Sequence, residues 1–433
     1  MIAEKRYEMK LGKKYALTNA TIIDGTGNKP QIGKTLVIEG GRIKQITGTE
    51  SFADKDIDTV DLNGKIVMPG MIDAHIHLFG AEENLDKELM TSDLTMQALR
   101  AVPQAQKMLK YGFTAVRDLT YNGLYLKRLF AEGNITGPKI ISAGPGLNHM
   151  ACFSTCANWE TLERIRFKNN WGMGCYNRDD MSRAVQILLS EGADQIKFFA
   201  NGSGCGFTDR VYDQHFNFED MQLIVNEAKK VSGTKVIAHI FDNKTAWDCL
   251  RAGVDTFEHL GFLDEELCDE MVKLNKYLIP TATLLTLWTE EGMDFRKAEG
   301  FYMRDMYEEY YEDTVIKCAA DFKLAHRKGV KIALGTDTII DEMTPYGEFS
   351  VQELKTMTAL GMTPLETIHS VTQIGAEVLG LEEHIGTIEE GKLADILIVN
   401  GDPAVDIDVL MNPENIEYVI QEGRISVNHG QLI

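Results

Sequence analysis

The sequence predicts an α/β protein with a (β/α)8 barrel in its central part and a small β-sandwich that both ends of the chain build together. Between residues 66 and 337, eight short apolar runs alternate with helical stretches, and eight is the strand count of that barrel. Before residue 71 and after residue 384 the helical period gives way to alternating strands and hairpins. We therefore predict two domains, a composite sandwich from residues 1–70 and 385–433 and a barrel from residues 71–384.

The terminal segments carry the hairpin signals of a small sheet. Glu39-Gly-Gly41 separates two alternating runs at residues 35–38 and 42–46, and Glu422-Gly423 separates another pair near the C-terminus. Glycine at such positions is typical of tight hairpin turns. Neither end has enough strands for a stable sheet by itself, so we predict that the two ends pair in space.

The eight apolar runs of the central part have the length of strands and are bounded by turn residues. Several of them follow a glycine that can end the preceding helix, as at Gly192 and Gly253. The segment 144–180 is long and poorly periodic, which favours a loop that covers or lines a binding site. The predicted strands span residues 66–77, 114–118, 139–143, 195–200, 235–240, 256–260, 277–281 and 331–337.

The composition limits the classes of partner. The chain has 433 residues and a net charge of −21, which argues against nucleic acid and an anionic membrane surface as partners. No apolar run has the length of a membrane span, and the first residues lack the apolar core of a signal peptide. Seven scattered cysteines are typical of reduced thiols. We therefore expect a cytoplasmic homo-oligomer that binds a small-molecule substrate.

Five of the predicted strands end in polar side chains suited to metal binding. In a (β/α)8 barrel the carboxyl ends of the strands surround the active site, and imidazoles with a carboxylate are the donors of hydrolytic zinc sites. Residues i and i+2 of a strand share a face, so the two histidines of the first run can chelate one ion. The candidate ligands are His75, His77, Lys197, His239, His259 and Asp337.

Each candidate has a simpler interpretation when taken alone. A His-x-His pair can be two imidazoles on a surface strand, Lys197 can reach solvent from a strand end, and Asp337 can cap a helix. Lys197, however, interrupts the apolar run 196–199, and a buried lysine needs a partner or a modification. A carbamate formed from its amine and CO₂ would be an anionic oxygen donor able to bridge two cations. The placement of all six residues at strand ends favours a shared metal site.

The most specific motifs lie at the strand ends and in the last third of the chain. They are Val67-Met-Pro-Gly-Met-Ile-Asp-Ala-His-Ile-His77, Gly112-Phe-Thr-Ala-Val-Arg-Asp118, Gly192-Ala-Asp-Gln-Ile-Lys197, Val236-Ile-Ala-His239, Ala252-Gly-Val-Asp-Thr-Phe-Glu-His259, Leu334-Gly-Thr-Asp-Thr338 and Gly386-Thr-Ile-Glu-Glu-Gly-Lys-Leu-Ala-Asp395. With this set the chain resembles the amidohydrolase superfamily over essentially its whole length, and in particular its imidazolonepropionase-like enzymes, metal-dependent prolidases and Xaa-Arg/Lys dipeptidases.

The resemblance implies a distorted (β/α)8 barrel, a composite sandwich and a divalent metal site with a carbamylated lysine. It also implies roles for the candidate ligands. His75, His77 and Asp337 would hold one ion, His239 and His259 would hold a second, and Lys197 would bridge them as a carbamate. We expect both ions to be zinc. Asp337 would also orient the activated water, take its proton and pass it to the leaving nitrogen.

Three loop residues are candidates for contact with the substrate. His149 follows the third strand, where the resembling enzymes carry a Gly-Gly-His loop, although the two glycines are absent here. It is a candidate donor to the oxyanion of the transition state, or an exposed loop histidine. Arg210 and Tyr212 follow the fourth strand and could hold a substrate carboxylate, or be ordinary surface residues. Arg117 and Asp118, which end the second strand, are interpreted as a structural ion pair.

The predicted reaction is the hydrolysis of an amide bond in small substrates such as dipeptides or N-acyl amino acids. Two alternatives stay open. A cyclic-amide hydrolase or a deaminase of the same superfamily would use one ion and would not need Lys197. A non-enzymatic relative would keep the barrel as an assembly module and would have lost ligands, and none of the six is missing.

Overall fold

The computed structural model of the protein describes residues 12–54, 57–81, 93–152, 159–203, 210–288 and 305–433. The chain forms two compact units. The sheet unit comprises Met1–Ile72, Met108–Thr114 and Thr363–Ile433, and the barrel unit comprises Asp73–Lys107 and Ala115–Met362. Within the described ranges, no helix is both long and apolar enough to span a bilayer. The domain boundaries drawn from the sequence, at 70/71 and 384/385, stay a prediction.

The strands, in chain order, are β1 (Lys14–Ile22), β2 (Gln31–Glu39), β3 (Arg42–Gly48), β4 (Asp58–Asp61), β5 (Ile66–Pro69), β6 (Met71–Ile76), β7 (Phe113–Asp118), β8 (Lys139–Ser142), β9 (Gly146–His149), β10 (Gly172–Cys175), β11 (Gln195–Phe199), β12 (Lys235–His239), β13 (Thr256–Glu258), β14 (Tyr277–Ile279), β15 (Lys331–Ile332), β16 (Ile396–Val399), β17 (Ile416–Gln421), β18 (Arg424–Asn428) and β19 (Gln431–Leu432).

The α-helices of the described residues are α1 (Leu94–Lys110), α2 (Tyr121–Ala131), α3 (Trp159–Ile165), α4 (Arg178–Glu191), α5 (Phe218–Ala228), α6 (Asn243–Ala252), α7 (Glu265–Lys273), α8 (Asp305–Lys328), α9 (Glu348–Ala359), α10 (Pro364–His369) and α11 (Gly375–Leu379). A π-helical segment, Ser370–Ile374, joins the last two. Short 3₁₀ segments lie at Thr49–Ser51, Met150–Cys152, Ala282–Trp288, Ile407–Met411 and Pro413–Asn415.

The two ends of the chain share one nine-stranded sheet in the order β19-β18-β17-β16-β5-β1-β2-β3, with β4 also paired to β1. The ends meet where β5 and β16 run antiparallel, with Ile66 opposite Val399. The sheet also folds over itself, because the Tyr15 hydroxyl in β1 donates a 3.0 Å hydrogen bond to the carbonyl of Gly423, between β17 and β18. This pairing of the two termini is what the hairpin patterns predicted.

The core of the sheet unit is apolar and draws on both ends of the chain. Leu17 and Leu36 come from the N-terminal strands, Ile396 and Ile420 from the C-terminal ones, and all four are fully buried in one cluster. Each large side chain of this kind contributes roughly 1.5–3 kcal/mol when it leaves water. Burial of these side chains therefore stabilises the pairing of β5 with β16. The two segments are far apart in the chain, since Ile66 and its partner Val399 are separated by 333 positions.

The barrel unit contains the predicted parallel strands. A seven-stranded sheet has the order β10-β9-β11-β12-β13-β14-β15, and β6, β7 and β8 form a second sheet. Past the end of β15, the chain returns to β6 through a parallel bridge between Ile76 and Thr338. Backbone bonds from Ala74 N to Leu334 O (2.9 Å) and from Asp337 N to His75 O (2.8 Å) extend this contact. The α/β barrel fold is therefore confirmed, with strand eight closing onto strand one.

Two features of the strands differ from the sequence prediction. The predicted first strand, 66–77, is divided at Gly70, so that β5 belongs to the nine-stranded sheet and β6 pairs with β7. The predicted loop 144–180 contains β9 and β10, which pair with each other in parallel. β9 also pairs with β11 at Leu147 and Phe198, so it occupies the sheet position beside strand four. The low periodicity of β9 reflects the glycine at its first position and its length of four residues.

Helix ends position the strands that follow. The side chain of Asn177 caps α4 by accepting from Asp180 N, and that of Asp242 caps α6 by accepting from Thr245 N. Both helices end at a glycine in the left-handed conformation, Gly192 (φ 96°) and Gly253 (φ 95°). Only glycine adopts this conformation without strain, and a strand begins within three residues of each, as the sequence predicted.

Candidate metal centre

Parallel pairing brings the polar residues of neighbouring strands to one end of the barrel unit. In the register of β12 and β13, His239 lies opposite Glu258, and His259 is the next residue. In the register of β11 and β12, Lys197 lies opposite Ile237, two residues before His239. Since parallel strands end at the same edge of a sheet, these side chains share the carboxyl-terminal edge.

The first group of candidate ligands is His75, His77 and Asp337. Asp337 Oδ1 lies 3.3 Å from His75 Nε2 and 3.0 Å from His77 Nε2. One donor atom from each of the three residues lies within 4.8 Å of the other two. His75 is in β6, His77 follows it directly, and the backbone bond from Asp337 N to His75 O holds the third residue beside them.

The second group is a pair of histidines beside the first. His259 Nε2 lies 2.7 Å from His239 Nδ1, and the His259 ring centroid lies 5.3 Å from that of His75. The other nitrogen of His259, Nδ1, is 2.8 Å from the hydroxyl of Thr281. His239 Nε2 is 3.3 Å from the carbonyl of Gly202. The imidazoles predicted from three separate strands thus form one continuous cluster.

Lys197 is a buried cation next to this cluster. Its side chain belongs to a strand in which every residue is buried, and the Nζ atom lies 5.7 Å from the centroid of the Phe199 ring. Burial lowers the pKa of Lys197 to about 8, although the charges of Glu258 and Asp337 act in the opposite direction. The charge of Lys197 in turn lowers the pKa of His77 and His259.

The protonation states suit metal binding. Burial lowers the pKa of His77 to about 4 and that of His259 well below its ordinary value, so both imidazoles are neutral at pH 7 and offer a lone pair. Burial alone would raise the pKa of Asp337, but its close contacts with His75 and His77 hold it well below its usual range. The donor set is therefore neutral nitrogen and anionic oxygen, the combination that divalent zinc prefers.

Two buried nitrogens indicate that this site is built for a ligand. His75 Nε2 and His77 Nδ1 are shielded from solvent and have no hydrogen-bond partner among the described residues. A buried polar atom left without a partner costs roughly 1–3 kcal/mol. A divalent cation held by His75, His77 and Asp337 would satisfy His75 Nε2. The residues present therefore fit a divalent metal ion.

The backbone is strained at the ends of three neighbouring strands. His259 follows β13 with φ 75°, Thr281 follows β14 with φ 47°, and Asp337 lies beyond β15 with φ 58°. Residues other than glycine rarely adopt positive φ, and a β-branched threonine least of all. Each such residue costs of order 1–3 kcal/mol. Strain that gathers at the side chains of one cluster is typical of a functional site.

Sequence reasoning missed a buried carboxylate under the cluster. Glu258 Oε2 lies 2.6 Å from His75 Nδ1, and both Glu258 oxygens accept from Arg117 at 2.8 and 2.9 Å. The predicted ion pair of Arg117 with Asp118 is therefore wrong, since Asp118 instead accepts from the backbone of Leu78. The available signal was Thr256-x-Glu258, two polar side chains two residues apart and therefore on one face of the strand.

The predicted substrate residues lie in different surroundings. His149 ends β9, is partly exposed, and accepts at Nδ1 from Ala151 N at 3.3 Å. Hydrogen bonds with His149 and His215 lower the pKa of the Cys152 thiol to about 7. Arg210 and Tyr212 are exposed on a turn between β11 and α5. Their part in substrate binding stays a prediction.

Comparison with known proteins identifies the family. The sequence model of the amidohydrolase family matches residues 66–426. The chain belongs to the amidohydrolase family. It is therefore a hydrolase that acts on carbon–nitrogen bonds, and members of this family generally use a divalent metal site. The match covers the cluster and, within the nine-stranded sheet, β5, β16, β17 and part of β18.

Individual relatives include several hydrolases. Ochratoxinase of Aspergillus niger is 26% identical over 377 residues, which cover 83% of this chain and 75% of that protein. Imidazolonepropionase of Alkaliphilus oremlandii is 24% identical over 428 residues, 92% of this chain and 91% of that protein. A prolidase solved in complex with N-methylphosphonate-L-proline has a TM-score of 0.84 and 25% identity, covering 96% of this chain and 99% of that one.

Proposed function

We propose that the protein is a metal-dependent hydrolase that cleaves an amide bond next to a free carboxylate in small substrates, such as dipeptides or N-acyl amino acids. The observation that carries this proposal is the convergence of His75, His77 and Asp337 within 4.8 Å of one another. His239 and His259 lie beside them and Lys197 is buried at the same edge. Two imidazoles and a carboxylate that converge on one point form a site for a hydrolytic metal.

His75, His77 and Asp337 would hold one divalent ion, and His239 and His259 would hold a second, with zinc as the expected metal. When bound, such ions lower the pKa of water and polarise the scissile carbonyl. Asp337 would orient the attacking water and accept its proton, since its carboxylate is held ionised and remains partly accessible, with 22% of its side chain exposed. It would then deliver that proton to the leaving nitrogen.

Lys197 would be carbamylated. Its ammonium would lose one proton to give the amine, which would react with CO₂ to form a carbamate with loss of a second proton. A buried cation would thus be replaced by an anion facing the imidazoles. The buried ammonium of a lysine on β11 costs free energy unless it is paired. The anionic oxygen atoms of a carbamate would instead bridge the two groups of ligands. Gly146 leaves room for this side chain, because an added Cβ there would lie 3.0 Å from Lys197 Cγ.

His149 is proposed as the donor to the oxyanion that forms from the substrate carbonyl. Its Nδ1 accepts from Ala151 N, so the proton of a neutral ring is on Nε2 and is available for donation. Arg210 and Tyr212 are proposed to bind the substrate carboxylate. The prolidase relative supports a carboxylate-bearing substrate, because its ligand is an N-substituted proline.

A cyclic-amide hydrolase is the second candidate function. The match to imidazolonepropionase over 92% of this chain favours it. A deaminase remains the other alternative within the superfamily. Both would act with one ion, without a need for the carbamate of Lys197.

The test is a hydrolysis screen of metal-replete protein with dipeptides, N-acyl amino acids and cyclic amides, each open-chain substrate also as its carboxamide. We expect cleavage of the free acids, and a higher KM or no cleavage for the carboxamides, because a carboxamide lacks the negative charge that Arg210 would bind. Equal rates for acid and carboxamide would rule out the carboxylate contact. Turnover of cyclic amides alone would make the second candidate the function.

A further inference from the structure

A buried array of polar side chains lies directly beneath the candidate metal centre. Its centre is Glu258, at the end of β13, which has no solvent exposure. The carboxylate accepts hydrogen bonds from His75 Nδ1 at 2.6 Å, from Arg117 at 2.8 and 2.9 Å, and from the Thr256 hydroxyl at 2.8 Å. These donors come from three different strands, so the array joins β6, β7 and β13.

Arg117 connects the array to the backbone next to the metal ligand. Its guanidinium is fully buried and its Nε donates to the carbonyl of Ala74, the residue before His75. Its remaining NH1 group donates to Gln195 and Thr256, both at 3.2 Å. One arginine therefore holds both the main chain of β6 beside His75 and the carboxylate that contacts the His75 ring.

The chemistry of this contact determines the state of the imidazole. An ionised carboxylate only accepts hydrogen bonds, so the proton of a neutral His75 must be on Nδ1. The lone pair is then on Nε2, which points to Asp337 Oδ1 at 3.3 Å. His259 differs, because its Nδ1 lies 2.8 Å from a neutral hydroxyl, that of Thr281.

We propose that Glu258 is a positioning residue which, backed by Arg117, holds His75 in the Nδ1-protonated form and directs Nε2 to the metal. The role rests on the proposed metal-dependent function. A histidine ligand whose other nitrogen donates to a carboxylate is oriented and made more basic, and loss of such a partner lowers metal affinity about 10–100-fold. Glu258 does not contact the reacting atoms.

The experiment compares Glu258→Gln with one control variant. Asp395→Asn converts a buried acid of the sheet unit, which accepts from Glu422 N, to an amide. Zinc affinity of each full-length protein is measured by competition with a chelator. We expect Glu258→Gln to bind zinc about 10–100-fold more weakly than wild type, and the control to stay within about threefold. Unchanged affinity in Glu258→Gln would overturn the proposal.

A second measurement works even if Glu258→Gln fails to fold. Nitrogen-15 NMR of the metal-free wild-type protein reports which ring nitrogen carries the proton, with the His75 signal assigned by its loss in His75→Asn. We expect the Nδ1-protonated form, and the Nε2-protonated form would contradict the role of Glu258. If wild type binds no zinc but His75 is Nδ1-protonated, the proposed function fails while the contact with Glu258 stands.

Discussion

Replacing Arg117 by Met should destabilise the barrel unit strongly, and more at neutral than at acidic pH. The substitution keeps most of the side-chain volume but removes the charge that faces Glu258. Both groups are fully buried in the ion pair, with an N–O distance of 2.8 Å. Breaking such a pair by removing one partner costs about 3–5 kcal/mol, because it leaves an uncompensated buried charge.

The pKa of Glu258 reflects the combined effect of the groups around its carboxylate, Arg117 among them. Burial raises this pKa, but the charge of Arg117 and the hydrogen bond with His75 lower it by more than burial raises it. The pKa of Glu258 therefore falls from 4.5 to about 2. At 1.36 kcal/mol per pKa unit this shift corresponds to about 3 kcal/mol. Because the folded-state pKa is lowered, this stability is present above about pH 4.5 and is lost as the pH falls towards 2. In Arg117→Met the effect of burial dominates and raises the pKa of Glu258. The loss of stability relative to wild type should therefore become smaller as acid protonates Glu258.

Tryptophan fluorescence suits the assay, since the four tryptophans, at positions 159, 171, 247 and 288, all belong to the barrel unit. We expect urea unfolding of the metal-free variant at pH 7 to show a loss of about 3–5 kcal/mol, and a smaller loss at pH 5. Lys244→Met is the control, because the lysine is largely exposed and lies 3.8 Å from Asp248, so its loss should change stability by at most about 0.5 kcal/mol. A loss in Arg117→Met below 1 kcal/mol, or one independent of pH, would refute the reasoning.

Three further predictions concern the proposed metal site. His75→Ala combined with His77→Ala should remove at least one of up to two divalent ions per chain and abolish hydrolysis; full metal content by mass spectrometry would contradict the ligand assignment. Asp337→Asn should keep the fold and most of the metal while turnover falls by roughly 10²–10⁴, and near-normal turnover would show that another group moves the proton. Lys197→Ala should lose most activity, with partial recovery in short carboxylates that replace the bridging donor; a bare amine in crystals of metal-loaded wild type would exclude the carbamate.

Much of the fold could be predicted because its signals are local. Alternating apolar runs, helix-ending glycines such as Gly192 and hairpin glycines such as Gly423 act within a few residues of themselves. The eight barrel strands and the pairing of the two chain ends were therefore predictable. β9 was not, because four residues with a glycine at the first position resemble a loop, and only its pairing with β10 and β11 makes it a strand.

The sequence by itself determined which residues stand at the carboxyl ends of the strands, and thus that His75, His239 and His259 would meet near Asp337. A parallel barrel brings all such ends together whatever its detailed geometry. Only the tertiary structure decided which buried charges pair. Arg117 and Glu258 are 141 residues apart, and Asp118 is adjacent to Arg117 in sequence. Successive side chains of a strand point to opposite faces, so Arg117 and Asp118 point away from each other. The relative positions of β7 and β13 in the folded barrel unit bring the carboxylate of Glu258 within hydrogen-bond distance of Arg117.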